Sequence, residues 1–401
     1  MKKYNATIPA AAQSQAARTA LDQTAGSQRQ VLESGGSKHM SAPTSVRRFA
    51  ILSIFAAAGI HAANAQPAQN VGFFATLGGQ VSSVTNFNSA GGTNTMTIVG
   101  TGLFQVLFPG LGSGTGSNIQ VNAFDTNGSP HICTSQGWGS SNGTDVYAYV
   151  GCFDFAGNPY SGDFSIFYQA RNAAPGGWLG FFWADQPTAA SYTPNTTWNY
   201  NNKGGFNKVT RTGTGIYRAR FPNLRGGGNP QVTAYSFDQN VAAHCEISSW
   251  TAATGTTTEV GVRCFDGSGN PADEYYSLSY NCSALESEGA TNGAYGFAEK
   301  PGTARYATYT PKYPFSEYAG LDVTAERFAL GAYSFMISNP SDHTTLPFVG
   351  MATAVGTAGE YCEVEGYDTF TDSFDMNVAC YDTAERSTNA RYSGTMLYEV
   401  H

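Results

Sequence analysis

The stretch VRCFDGSGNP, residues 262–271, decides how this chain is read. A cysteine, a carboxylate and a Gly/Asn-rich tail describe either a ligand loop or a strand running into a tight turn. The choice depends on whether the stretch stands alone, and it does not. VGCFD and VACYD repeat its core, so the second-position cysteines are Cys152, Cys264 and Cys380. Each follows an earlier cysteine (Cys133, Cys245, Cys362) by 19, 19 and 18 residues. The earlier set lies in HICTSQGW, AHCEISSW and EYCEVEGY, each with an aromatic residue five positions on: Trp138, Trp250 and Tyr367. The first members are 112 and 117 residues apart, which defines an internal threefold repeat.

Other segments keep the same step. GTGLFQVLFPGL from Gly100 matches GTGIYRARFPNL from Gly213, with a weaker echo in ALGAYSFMI from Ala329. IQVNAF matches PQVTAY, and DFSIFYQ, YYSLSYN and GTMLYEV close the three units. GFFWADQPTAASYTPNTTW from Gly180 is echoed by GFAEKPGTARYATYTPKYPF and more faintly by GFFATLGGQ; this alignment sets Phe297 and Phe74 against Trp183, and Phe315 against Trp198. The unit boundaries fall at 66–175, 176–290 and 291–401. Within a unit, segments such as IYRARF, QVTAYSF and EVGVRCF alternate in polarity, carry β-branched and aromatic residues, and end in Gly/Asn/Pro turns. The expected fold is all-β: three tandem antiparallel β-sandwich or small-barrel repeats. The alternative is a closed propeller-like ring with threefold internal repeat and two sheets per unit.

The cysteine spacing suits a hairpin, one strand up and its neighbour down, with the sulfurs opposite. It predicts disulfides Cys133–Cys152, Cys245–Cys264 and Cys362–Cys380, leaving Cys282 over. The N-terminal region agrees with an oxidising destination. RRFAILSIFAAAGIHAANAQ has two arginines, an apolar run from Phe49 to Ile60, and Ala63 and Ala65 before a cleavage point. Residues 40–65 are therefore expected to be a signal peptide, and residues 1–39 a disordered extension or sequence upstream of the true start at Met40. The apolar run is short of the ~20 residues that span a bilayer.

Without residues 1–65 the net charge moves from −8 to −13, of which −10 falls in residues 283–401. An acidic chain with no basic stripe is a poor partner for nucleic acid or anionic lipid. The strands are short and Gly-broken, so an integral membrane barrel is not expected either.

The second unit, with WADQP, TGTGIY, QVTAY and the cysteine pair, resembles tandem repeats of uncharacterised exported bacterial proteins. The resemblance covers residues 70–401 and is weakest in the third unit. It implies architecture and export, and it transfers no activity or site.

No catalytic constellation stands out. GSSNG (139–143) matches G-x-S-x-G, but it sits at a hairpin tip rather than between strand and helix. His131 and His244 precede equivalent cysteines, where Tyr361 replaces them, a tolerance that speaks for packing. Asp154, Asp266 and Asp382 recur two residues after the second cysteine, where an Asp fixes a turn through backbone N–H groups. Glu363, Glu365 and Asp368 crowd the third cysteine pair and are the weak candidates for calcium, no other cofactor being suggested. Trp183, Tyr192, Trp198 and Tyr200, with amides nearby, are the candidate binding residues for a glycan or polymer. The resulting expectation is an exported non-catalytic binding or adhesion protein whose partner is a carbohydrate or surface protein. The alternatives are a secreted hydrolase with a site between repeats, and a structural spacer.

Overall fold

The computed structural model describes residues 70–401 apart from 113–115, 127, 141–142, 172–176, 238–240, 254–256, 283–290, 317–320, 339–346, 371–372 and 400–401. The expected extension, the signal peptide and two residues of GSSNG lie outside the described residues. The regular structure among the described residues is strand, apart from two single-turn 3-10 helices. No helix among the described residues is long and apolar enough to cross a membrane.

Each repeat builds two half-sheets from the same strands in the same order. In repeat 1 an opening strand (Val71–Leu77), a closing strand (Asp163–Ala170) and an inner strand (Ser117–Phe124) form the first. An outer hairpin (Thr95–Gly100, Leu103–Phe108) and the cysteine hairpin (Ile132–Ser140, Val146–Phe153) form the second. The two half-sheets face each other across one core, where Phe104, Val106 and Phe108 meet Ile119, Val121 and Ile166. Repeats 2 and 3 have their own equivalent cores. The alternation that identified the strands is the cause: Ile216–Phe221 buries Tyr217, Ala219 and Phe221 and turns its two arginines to solvent.

The sandwiches are not separate. The inner strand of each repeat lies parallel to the first cysteine strand of the preceding one: Tyr235 beside Ser135, Val355 beside Ile247, and Phe124 beside Val364. Every sheet is therefore shared by two repeats. Repeat 1 pairs with both others, so the three sandwiches close into a ring, and none of the sheets closes into a barrel. Both arrangements anticipated from the sequence are present at once. Residues 66–401 form one compact unit, because cutting between repeats would cut a sheet.

The inner strands are buried on both faces, one toward their own core and one toward the ring axis. The axial contacts are polar at all three junctions: Asn122 exchanges hydrogen bonds with the Ala352 backbone between repeats 3 and 1, and a glutamine takes part at the other two. Thr233 Oγ1 donates to Gln120 Oε1 (2.9 Å), and Ser277 pairs with Asn118, joining repeats 1 and 2. Between repeats 2 and 3, Gln231 Nε2 donates to the Ser393 carbonyl (3.0 Å) and Thr395 Oγ1 (3.1 Å), while Thr353 Oγ1 donates to Gln231 Oε1. At the third junction the position of Gln120 and Gln231 is Met351, which packs with Val349, Phe167, Phe73 and Leu397.

The predicted disulfides all form, between residues directly opposite in each hairpin. Cys282 stays out of them and is buried. The second cysteine's N–H donates to the carbonyl of a glycine in the outer-hairpin turn: Gly102, Gly215 or Gly331. Each glycine has φ between 64° and 70°, and a Cβ there would lie 2.5–2.7 Å from the cysteine's carbonyl oxygen. The recurring Gly-Thr-Gly pattern of repeats 1 and 2 reflects that close approach. Val262–Pro271 is strand end plus turn. Asp266 Oδ1 accepts from Ser268 and Asn270 N–H (both 2.9 Å), and Phe265 bridges Pro271. Asp154 and Asp382 fix their turns in the same way.

Candidate functional site: the clefts between repeats

Each first cysteine strand carries a one-residue bulge, at Gln136, Ser248 or Glu365. The bulge turns the strand end toward the next repeat. Past it, the repeated aromatic residue (Trp138, Trp250 or Tyr367) faces the neighbour's opening strand and inner-strand end. Register pairing aligns the rest. The position opposite Ser277 is Trp183; opposite Ser393 it is Phe297; opposite Ser165 it is Ala75. Two residues before the strand partner of the next inward aromatic stand Trp198, Tyr313 and Thr85. This corrects three sequence alignments. Phe74 is the counterpart of Phe182 rather than of Trp183, Phe315 that of Tyr200 rather than of Trp198, and Ile132 occupies the position of His244 and Tyr361. For Phe315 the unequal loop after the opening strand shifts the frame; GFFA and GFFW, and the residues before the first cysteines, align without any shift.

The three clefts share a frame and differ in filling. Between repeats 1 and 2, Trp138 meets Trp198 (ring centroids 5.5 Å) and Trp183 (6.5 Å), and Trp183 meets Tyr235 (5.2 Å). Those rings leave a shallow space of about 70 Å³. Between repeats 2 and 3, Trp250 packs on Phe297 at 4.6 Å and its Nε1 donates to the Gly228 carbonyl. Between repeats 3 and 1, alanine and threonine replace the two large aromatics, and a cavity of about 380 Å³ opens. Phe124 and Tyr367, stacked at 5.3 Å, and Phe348 supply its apolar wall. Glu365, Asp368 and Asn377 supply its polar wall, with the Asn377 amide donating to Asp368 Oδ2 (2.8 Å). Gly366 also lines it, and a Cβ on Gly366 would meet nothing within 4 Å.

The candidate binding residues thus divide. Trp183 and Trp198 come together, joined by Trp138 and Tyr235, which the sequence reading did not single out for binding. Tyr192 packs against the core of repeat 2, and Tyr200 lies on Phe181. The calcium candidates divide too. Glu363 is fully buried and accepts from the His131 N–H (3.3 Å), and burial holds its carboxyl well above the usual range. Glu365 is half-buried; desolvation, with Asp125 nearby, raises its carboxyl as well. Asp368 is exposed. Among the described residues the only trio with donor atoms within 4.8 Å is His131, Cys133 and Cys152, and a disulfide joins two of them.

Comparison with known protein families, curated proteins and solved structures finds no match to this chain.

Proposed function

We propose that the protein is an exported binding protein whose ligand site is the cleft between repeats 3 and 1, and that the ligand is a compact hydroxylated ring such as one saccharide residue. The three disulfides fit an oxidising, extracytoplasmic setting. One observation carries the reading: of three equivalent clefts, this one is open, because Ala75 and Thr85 stand where Trp183 and Trp198 fill another. A volume near 380 Å³ is in the range of small-molecule sites, and an aromatic wall facing a few placed polar groups is their usual lining. The test is a glycan-array screen of residues 66–401 beside the Gly366→Phe variant, which fills the cleft. Binding abolished by the variant supports the reading. Binding that survives it, or no saccharide bound at all, overturns it.

A second reading, hydrolysis, is favoured by two carboxyls in one cleft, Glu365 raised by burial and Asp368 exposed. Release of reducing ends from bound saccharide, lost in Glu365→Gln, would establish it.

A further inference from the structure

The open cleft differs from its two counterparts in charge as well as in volume. Glu365 is the bulge residue of its strand; the equivalent residues are Gln136 and Ser248. Asp368 follows the repeated aromatic; the equivalents are Gly139 and Thr251. Both carboxylates therefore occur at the junction that holds the 380 Å³ cavity. Among the described residues no Lys, Arg or His lines that cavity. Neither carboxylate belongs to any of the salt bridges found among the described residues. Asp368 takes one hydrogen bond from Asn377, a neutral amide that leaves its charge uncompensated. Opposite stand the faces and edges of Phe124, Tyr367 and Phe348, with Tyr367 held in place by the Gly350 N–H donating to its hydroxyl (2.8 Å).

We propose that the ligand of this cleft carries an ammonium group, as an amino sugar does, with Glu365 and Asp368 as its counter-charges and the Tyr367–Phe124 pair as its aromatic wall. This rests on the cleft being the ligand site and adds the ligand's charge. Two carboxylates on one lining create a negative potential that a neutral sugar does not use, and the partial burial of Glu365 strengthens it relative to open water. An ammonium group also gains from the ring quadrupoles, which repel an anion. Ser82 and Thr126 on the same lining offer hydroxyl partners to a sugar, while the hydroxyls of Thr76 and Thr85 are held by the Phe164 and Ala75 backbone.

Calorimetric titration of residues 66–401 with glucosamine, N-acetylglucosamine and glucose near neutral pH tests it. Glucosamine is expected to bind about tenfold or more tighter than the other two, which lack the charge. The Glu365→Gln/Asp368→Asn variant is expected to erase that preference. Both substitutions keep side-chain shape, so the variant remains informative if Gly366→Phe fails to fold. Glucose or N-acetylglucosamine binding as tightly as glucosamine overturns the charge inference and leaves the cleft reading standing. A preference for glucosamine that survives in the double variant also overturns it. No binding of any of the three overturns both.

Discussion

Exchanging Gln231 and Met351, the same position in two repeats, tests whether the ring is held by junctions of different chemistry. Gln231 is 4% exposed and takes part in three side-chain hydrogen bonds across the repeat 2–3 junction. Gln231→Met keeps the length of the side chain but leaves the Thr353 hydroxyl, the Thr395 hydroxyl and one lone pair of the Ser393 carbonyl without that partner. A buried polar group stripped of its partner costs about 1–3 kcal/mol, and some of the stranded groups keep other contacts. Burying the thioether returns about 1 kcal/mol, so the net expectation is a loss of about 2 kcal/mol. Met351→Gln does the reverse, setting an amide among Val349, Phe167 and Leu397 with nothing apolar able to pair it. Its cost is an unpaired buried amide plus lost apolar burial, about 3 kcal/mol. Urea unfolding of residues 66–401, followed by tryptophan fluorescence, reads both as a lower midpoint at unchanged slope. Either variant within about 0.5 kcal/mol of the parent, the range of an ordinary surface substitution, would refute the account of the junctions.

Two further outcomes follow from the geometry. Gly215→Ala forces a side chain onto a φ of 64° and a Cβ to within 2.5 Å of the Cys264 carbonyl oxygen, so a loss of about 2–4 kcal/mol in chemical denaturation is expected; a loss no larger than that of Gly213→Ala in the preceding strand would contradict the close approach. Burial and the Glu360 carboxyl beside it push Glu246 from 4.5 up to about 9, so the folded chain keeps a proton that the unfolded chain releases. The resulting stability is complete below the unfolded value and is lost as pH rises toward 9. Glu246→Gln, which has no such proton, should gain on the parent steadily over that window; a difference between the two that does not change with pH would exclude the effect.

The sequence by itself determined the strands, the repeat and the disulfides, because these are local or periodic facts. Alternation sets which face is buried, a glycine marks a positive φ, and two cysteines 18 or 19 residues apart span one hairpin. It also named Trp183, Trp198, Glu365 and Asp368, which the fold places in two different clefts, though it named them for different ligands and in separate groups. Only the tertiary structure decided how the repeats share their sheets, since the three parallel pairings join residues a hundred or more positions apart. It also decided the site. Whether a cleft is open depends on what stands at Ala75 and Thr85; GFFA and GFFW align in frame at the first, but loops of unequal length hide the equivalence of the second to Trp198. A small residue in a sequence gives no sign of the space beside it; that space exists because a neighbouring repeat holds Tyr367 and Phe348 at a distance and nothing fills the gap.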